Sequence, residues 1–346
     1  MKKFLSIALA LLMVCVMLPV VALADEGITT EQALKDAITA ATDGATITLG
    51  GDIDLSQTIT VNKTITLNMN GKKLYNTSDL WDKPTAEAGN WSLISVRGSG
   101  NLTITGNGTF AAKENDCYAV DVKESATVTI KNGTFIGNIH AVYVFAGTAN
   151  VEGGTYSVQQ KYPDSAKGDE FVLNCYDANR ANGTARINVT GGTFKNFNPA
   201  DNKAEGEGNN FADNSLVVQK NNTVQNNDYY VGNAANEVIA AASKGEEIFV
   251  LNGTTLTNVP AGVIIQNRTG DRITVNGKDF ELTGDAGYTV PASNITIIVP
   301  GDTTPAETPK TEDQKNPSTG ANDFVGLAAA AAVVALLGSA VVLRKK

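Results

Sequence analysis

Few side chains in this 346-residue chain are suited to chemistry. There is one histidine, His140, so zinc centres and Ser-His-Asp triads, which lean on imidazole, have little to build on. Cysteines stand at 15, 117 and 175. Asp121 and Lys123, two residues apart, would share one face of a strand as an acid–base pair. Glycoside hydrolysis asks for two carboxylates about 5–9.5 Å apart, and no second acid lines up with Asp121. Asp52 and Asp54 form another such spaced pair, of the kind that water ordinarily solvates. No metal ligand set, cofactor motif or catalytic residue follows from these patterns.

Strands must position whatever chemistry there is. A shared ending recurs: Leu102 to Phe110, Val128 to Phe135, Ala149 to Tyr156 and Ile187 to Phe194 each close on Gly-Thr-aromatic. The steps between those endings are 25, 21 and 38 residues, the last holding an insertion, and Leu67–Lys73 is a weaker relative. Periods of about 20–25 residues built of strands and Gly/Asn turns predict a solenoid of the parallel β-helix kind. Each coil lies about 4.8 Å from the next, and alternating Val, Ile and Leu point inward. Aligning the coils sends Val120/Val122, Val142/Val144 and Leu173/Cys175 inward. Ser95, Asp121, Tyr143 and Asn174 then form one outward column, and Arg97, Lys123, Phe145 and Tyr176 the next. Asp121, Lys123, Tyr143, Phe145 and Tyr176 are the candidate glycan-binding face, since aromatic rings cover the apolar faces of sugars. The alternative is that these aromatics merely stack to stabilise the rod. Insertions at 76–90, with Trp81, and 159–169 would wall the face. His140 reads as a hydrogen-bonded corner residue. Cys117 and Cys175 fall two coils apart, about twice 4.8 Å and beyond the ~7 Å reach of a disulfide, which predicts free thiols.

Residues 25–44 predict an N-terminal capping helix. Thr29 and Gln32 match a capping box, Ala33, Leu34, Ala37, Ile38 and Ala41 make an apolar stripe, and Gly44 ends it. Strands at Ile47–Leu49 and Thr58–Val61 follow, and the β-helix extends over 45–232. The entry pattern is mirrored later: Gly44–Ile47 and Asn70-Gly71-Lys72 return as Gly245–Ile248 and Asn276-Gly277-Lys278, after an Ala-rich run from Ala234 to Ser243. Residues 233–298 are accordingly a second, shorter helix-plus-strand module, with a small β-sandwich as the alternative. Residues 299–315 are a Pro/Thr-rich linker, extended and disordered by composition.

The two ends speak of export. Lys2 and Lys3 precede an apolar run to Val21, and Ala22-Leu23-Ala24 fits a signal-peptide cleavage site, placing the cut between Ala24 and Asp25. At the other end, Phe324 to Leu343 is uncharged and long enough for a membrane-spanning helix, with Arg344-Lys345-Lys346 after it. Before it stands Asn316-Pro317-Ser318-Thr319-Gly320. This tail (316–346) resembles a Gram-positive cell-wall sorting signal, with Asn316 where the usual pentapeptide has Leu. The resemblance implies that a sortase cysteine acts transiently on the Thr319–Gly320 bond and joins the chain covalently to peptidoglycan. A permanent single-span anchor is the alternative. Residues 29–230 resemble the right-handed parallel β-helix, or pectate-lyase-like, superfamily, and more narrowly the Gly-Gly-Thr-Phe surface proteins of gut-type Gram-positive bacteria. The segment Gly191 to Pro199 carries the narrower likeness.

Composition bounds the partners. The net charge is −9, and both ends to be removed are basic, so the mature chain is more acidic still. Nucleic acid and anionic lipid surfaces are excluded as partners by repulsion. The sequence thus reads as an exported all-β surface protein that binds glycan or a host surface without catalysis. A polysaccharide lyase or hydrolase and a purely structural wall component are the alternatives.

Overall fold

The computed structural model describes residues 27–80, 89–115, 117–161, 170–201, 210–223, 226–280 and 287–291. The expectations for residues 1–24 and 299–346, and for Trp81, lie outside these. Among the described residues no helix is long and apolar enough to cross a membrane.

Helix α1 (Glu31–Ala40) opens the described chain and buries Leu34 and Ile38. Its N-cap is Thr30, whose hydroxyl accepts from the Ala33 amide at 3.2 Å. The capping box expected at Thr29 and Gln32 does not form, and Gln32 donates instead to Asp36. Three strands make each turn of the chain that follows. The first turn is β1 (Ala45–Thr48), β2 (Ile53–Asp54) and β3 (Ile59–Val61), the second β4 (Thr64–Asn68), β5 (Lys73–Tyr75) and β6 (Ser92–Val96). The third is β7 (Asn101–Thr105), β8 (Thr109–Ala111) and β9 (Tyr118–Val122), the fourth β10 (Thr127–Ile130), β11 (Thr134–Gly137) and β12 (Val142–Val144). The fifth is β13 (Gly147–Val151), β14 (Thr155–Val158) and β15 (Leu173–Cys175). After a short helix α2 (Asp177–Ala181), β16 (Ala185–Val189) and β17 (Gly192–Lys195) begin a sixth. First strands pair in parallel with first strands, second with second and third with third, which is a solenoid.

The registers show why the sequence repeats. Ile47, Leu67, Ile104, Ile130, Val151 and Val189 stand in one inward file. Leu74, Phe110, Phe135, Tyr156 and Phe194 form another. The last four rings stack at 4.7, 5.1 and 5.0 Å, all of them fully buried. The glycine two residues before Tyr156 is required by backbone crowding: at Gly154, with φ +99°, a Cβ would lie 2.9 Å from the Gly133 carbonyl. Asp52 and Asp54, expected to be merely solvated, tie turn to turn. Asp52 accepts from the Lys73 amide at 2.8 Å, and Asp54 from the Thr77 amide at 2.9 Å.

Beyond β17 the same sheet continues through antiparallel strands. β17 pairs with β19 (Asn226–Val231), β19 with β18 (Val217–Thr223), and β18 with β20 (Glu247–Asn252). Helix α3 (Asn233–Ala240) precedes β20 and buries Ala235 and Ile239. β20 then pairs in parallel with β22 (Ile264–Asn267), and β21 (Thr255–Leu256) with β23 (Ile273–Val275). Antiparallel β24 (Lys278–Phe280) and β25 (Tyr288–Thr289) end the two sheets. The mirrored Asn-Gly pairs have similar left-handed backbones, φ 49° and 72° at 70–71, 50° and 78° at 276–277. Asn70-Gly71 turns a corner into the next sheet, whereas Asn276-Gly277 makes a two-residue hairpin between β23 and β24.

Candidate functional site

The third strand of each turn carries the residues singled out above. Ser95, Asp121, Tyr143 and Asn174 are cross-strand neighbours in one file. Arg97, Lys123, Phe145 and Tyr176 continue the ladder two residues on, each amide donating to the turn before it. The alignment is as expected; the exposure is not. Asp121 is wholly buried, Lys123 is 3% exposed and Tyr143 7%. An open face across Asp121, Lys123 and Tyr143 is therefore corrected to a covered one.

Gly89 and Asn90, at the end of the first insertion, supply part of the cover. Lys123 Nζ donates to the Gly89 carbonyl. Arg97 donates to the same carbonyl at 3.0 Å, to Asn90 Oδ1 at 2.7 Å and, through Nε, to Ser95 Oγ at 2.8 Å. Under this strap Asp121 Oδ2 sits 3.3 Å from Lys123 Nζ as an ion pair, without a well-formed hydrogen bond to either carboxylate oxygen. Burial pushes the Asp121 carboxyl up, against the opposing pull of Lys123, Ser95 and Arg97. Its neighbours hold it in place, and no surface is left for a substrate to reach.

His140, beside Tyr143, is held by residues that follow the second insertion. His140 Nδ1 donates to the Phe171 carbonyl at 2.8 Å, and Nε2 accepts from Asn174 Nδ2 at 3.3 Å. Its ring stacks on Tyr143 at 5.2 Å and tilts against Tyr118 at 4.8 Å. Buried Glu170 accepts from Lys161 at 2.6 Å. Cys117 and Cys175 are buried thiols outside any disulfide; Cys117 directly precedes β9 and Cys175 ends β15, with β12 between those two strands. Burial raises the Cys117 thiol to about 12, so it stays protonated and inert.

Two candidates remain open. Phe145 and Tyr176 stack at 4.7 Å with 24° between their planes. Phe145 is half-buried, while Tyr176, at 43%, is an exposed large hydrophobic side chain next to α2. A feature that sequence reasoning passed over is a polar groove of about 480 Å³ along the Gly-Gly-Thr corners, lined by Lys131, Asn132, Thr134, Glu152 and Thr155 and ending at Asn233. The glycine pairs signalled it, because a row of residues without side chains leaves a furrow. Among the described residues no group of three or more His, Cys, Asp or Glu could hold a metal ion. Comparison with protein-family models, with curated proteins and with solved structures gave no match. The fold and site define an all-β protein of parallel sheets with a repeated three-strand turn.

Proposed function

We propose that the chain is an exported display protein of Gram-positive type, covalently attached to peptidoglycan by a sortase acting at Thr319–Gly320, with its signal peptide removed between Ala24 and Asp25. It carries a right-handed parallel β-helix and binds glycan without catalysis. The observation that supports binding is the Phe145–Tyr176 pair: two stacked rings at the rim of a covered sheet, half-buried and exposed respectively. Such a pair offers an apolar step to the face of a sugar ring, with the Tyr176 hydroxyl at its edge. A lyase or hydrolase reading would need Asp121 as its acid or base, and that carboxyl is wholly buried against Lys123. Burial of Asp121, Lys123 and Tyr143 favours one other reading, a structural wall component whose third sheet serves only to seat its insertions.

Mass spectrometry of muramidase-released wall material tests attachment, with peptides ending at Thr319 and linked to a peptidoglycan fragment as the expected product. A glycan array tests binding. Signal is expected from the full chain and its loss from Phe145→Ala/Tyr176→Ala; an array equally bright for both proteins would remove the ring pair from the proposal.

A further inference from the structure

The first sheet of the solenoid, β1-β4-β7-β10-β13-β16, has an outer face with an unusual composition. Its central file in register is Thr46, Thr66, Thr103, Thr129, Asn150 and Asn188. A parallel file runs Thr64, Asn101, Thr127 and Thr148. The sheet geometry spaces these groups about 4.8 Å from strand to strand and about 6.6 Å along each strand. They are exposed or half-buried. Among the described residues the threonine hydroxyls of both files make no hydrogen bond to protein, and the one bond along the central file is Asn188 Nδ2 to Asn150 Oδ1 at 2.9 Å.

Charge narrows what this face fits. The chain has a net charge of −9, yet these two files hold no charged side chain before Arg186 in the last turn. Before the last turn, a charged polymer or an anionic surface would meet no counter-charge in these files. Threonine restricts its own χ1, so its hydroxyls and methyls are held in ranks at little further entropic cost on binding.

From these observations we propose that the face binds the surface of an uncharged, insoluble polysaccharide, whose repeating hydroxyls and C–H edges meet the ranked hydroxyls and methyls. Each hydrogen bond contributes little alone, and six strands engaging together supply the affinity. A short oligosaccharide spans too few ranks to be held. The site is separate from the Phe145–Tyr176 pair, which lies at the third strand of the turn rather than the first.

The test is depletion of the full chain from solution by powdered microcrystalline cellulose and by chitin. Retention is expected on at least one powder, with little response to salt and no competition by soluble oligosaccharide. Thr66→Val/Thr103→Val/Thr129→Val keeps the branched shape and strand preference. It should weaken retention at least about tenfold, because several hydroxyl contacts go together, with the thermal transition unmoved. No retention on either powder, or equal retention by the valine variant, would overturn the proposal.

Discussion

His140 donates through Nδ1 and accepts through Nε2, which uses both nitrogens of a neutral ring. Protonation would place a second donor against the Asn174 amide in a buried site. Burial accordingly draws its pKa from 6.5 down to about 4. The unfolded chain takes up this proton near 6.5 and the folded chain only near 4, so between those values the unfolded state binds more protons. Stability contributed by His140 is therefore complete above pH 6.5 and lost as pH falls towards 4, by about 2–3 kcal/mol between pH 7 and 4.5. Asp121 acts in the opposite sense. Its carboxyl is raised above 3.8, so the folded state holds the extra proton and stability falls as pH rises through its titration. Urea unfolding of the native chain and of His140→Gln at pH 7 and 4.5 separates the two. The native chain should lose more stability on acidification than the variant does; parallel losses would show that the imidazole is not held neutral.

At the scale of the strand, the inward ring file joins one turn of the solenoid to the next. Phe135 lies between Phe110 at 4.7 Å and Tyr156 at 5.1 Å, wholly buried. Phe135→Ala removes both contacts and leaves a cavity that the stacked backbones cannot collapse to fill, which should cost about 3–5 kcal/mol. Tyr156→Phe keeps the stack and loses only the hydroxyl bond to the Gly153 carbonyl, 2.6 Å long, for about 0.5–1.5 kcal/mol. Chemical denaturation of the two variants gives the comparison, and similar losses would mean that the rings do not bear on the joint between turns. This file was legible in the sequence because the Gly-Thr-aromatic ending repeats with every turn. The burial of Asp121 and Tyr143 was not. Strand alternation tells which way a side chain points, but not what lies above it, and the cover comes from Gly89, Asn90 and Phe171, outside the repeat.

Across the whole molecule, one sheet of eleven strands serves two cores. Strand β18 is the partition. Val217 belongs to the core of the long solenoid, and its neighbour Val218 to the second core, with Ile239, Ile248, Val250 and Ile265. A repeat array draws its stability from nearest-neighbour contacts, so a defect on one side of β18 should not reach far on the other. Ile265 is wholly buried on β22. Ile265→Ala opens a cavity costing about 2–5 kcal/mol, charged first to α3, β20 and β22. In native-state hydrogen exchange the amides of β20 and β22 should lose protection by that amount, while those of β7 and β10 keep theirs. The amides of β18 and β19 are the informative ones, because their bonds run to both sides. Protection there should fall only as far as the loss of the β18–β20 pairing requires. A uniform loss from β7 to β22 would instead mean that the continuous sheet couples both cores into one cooperative unit, and that the partition at Val217 and Val218 separates side chains but not stability.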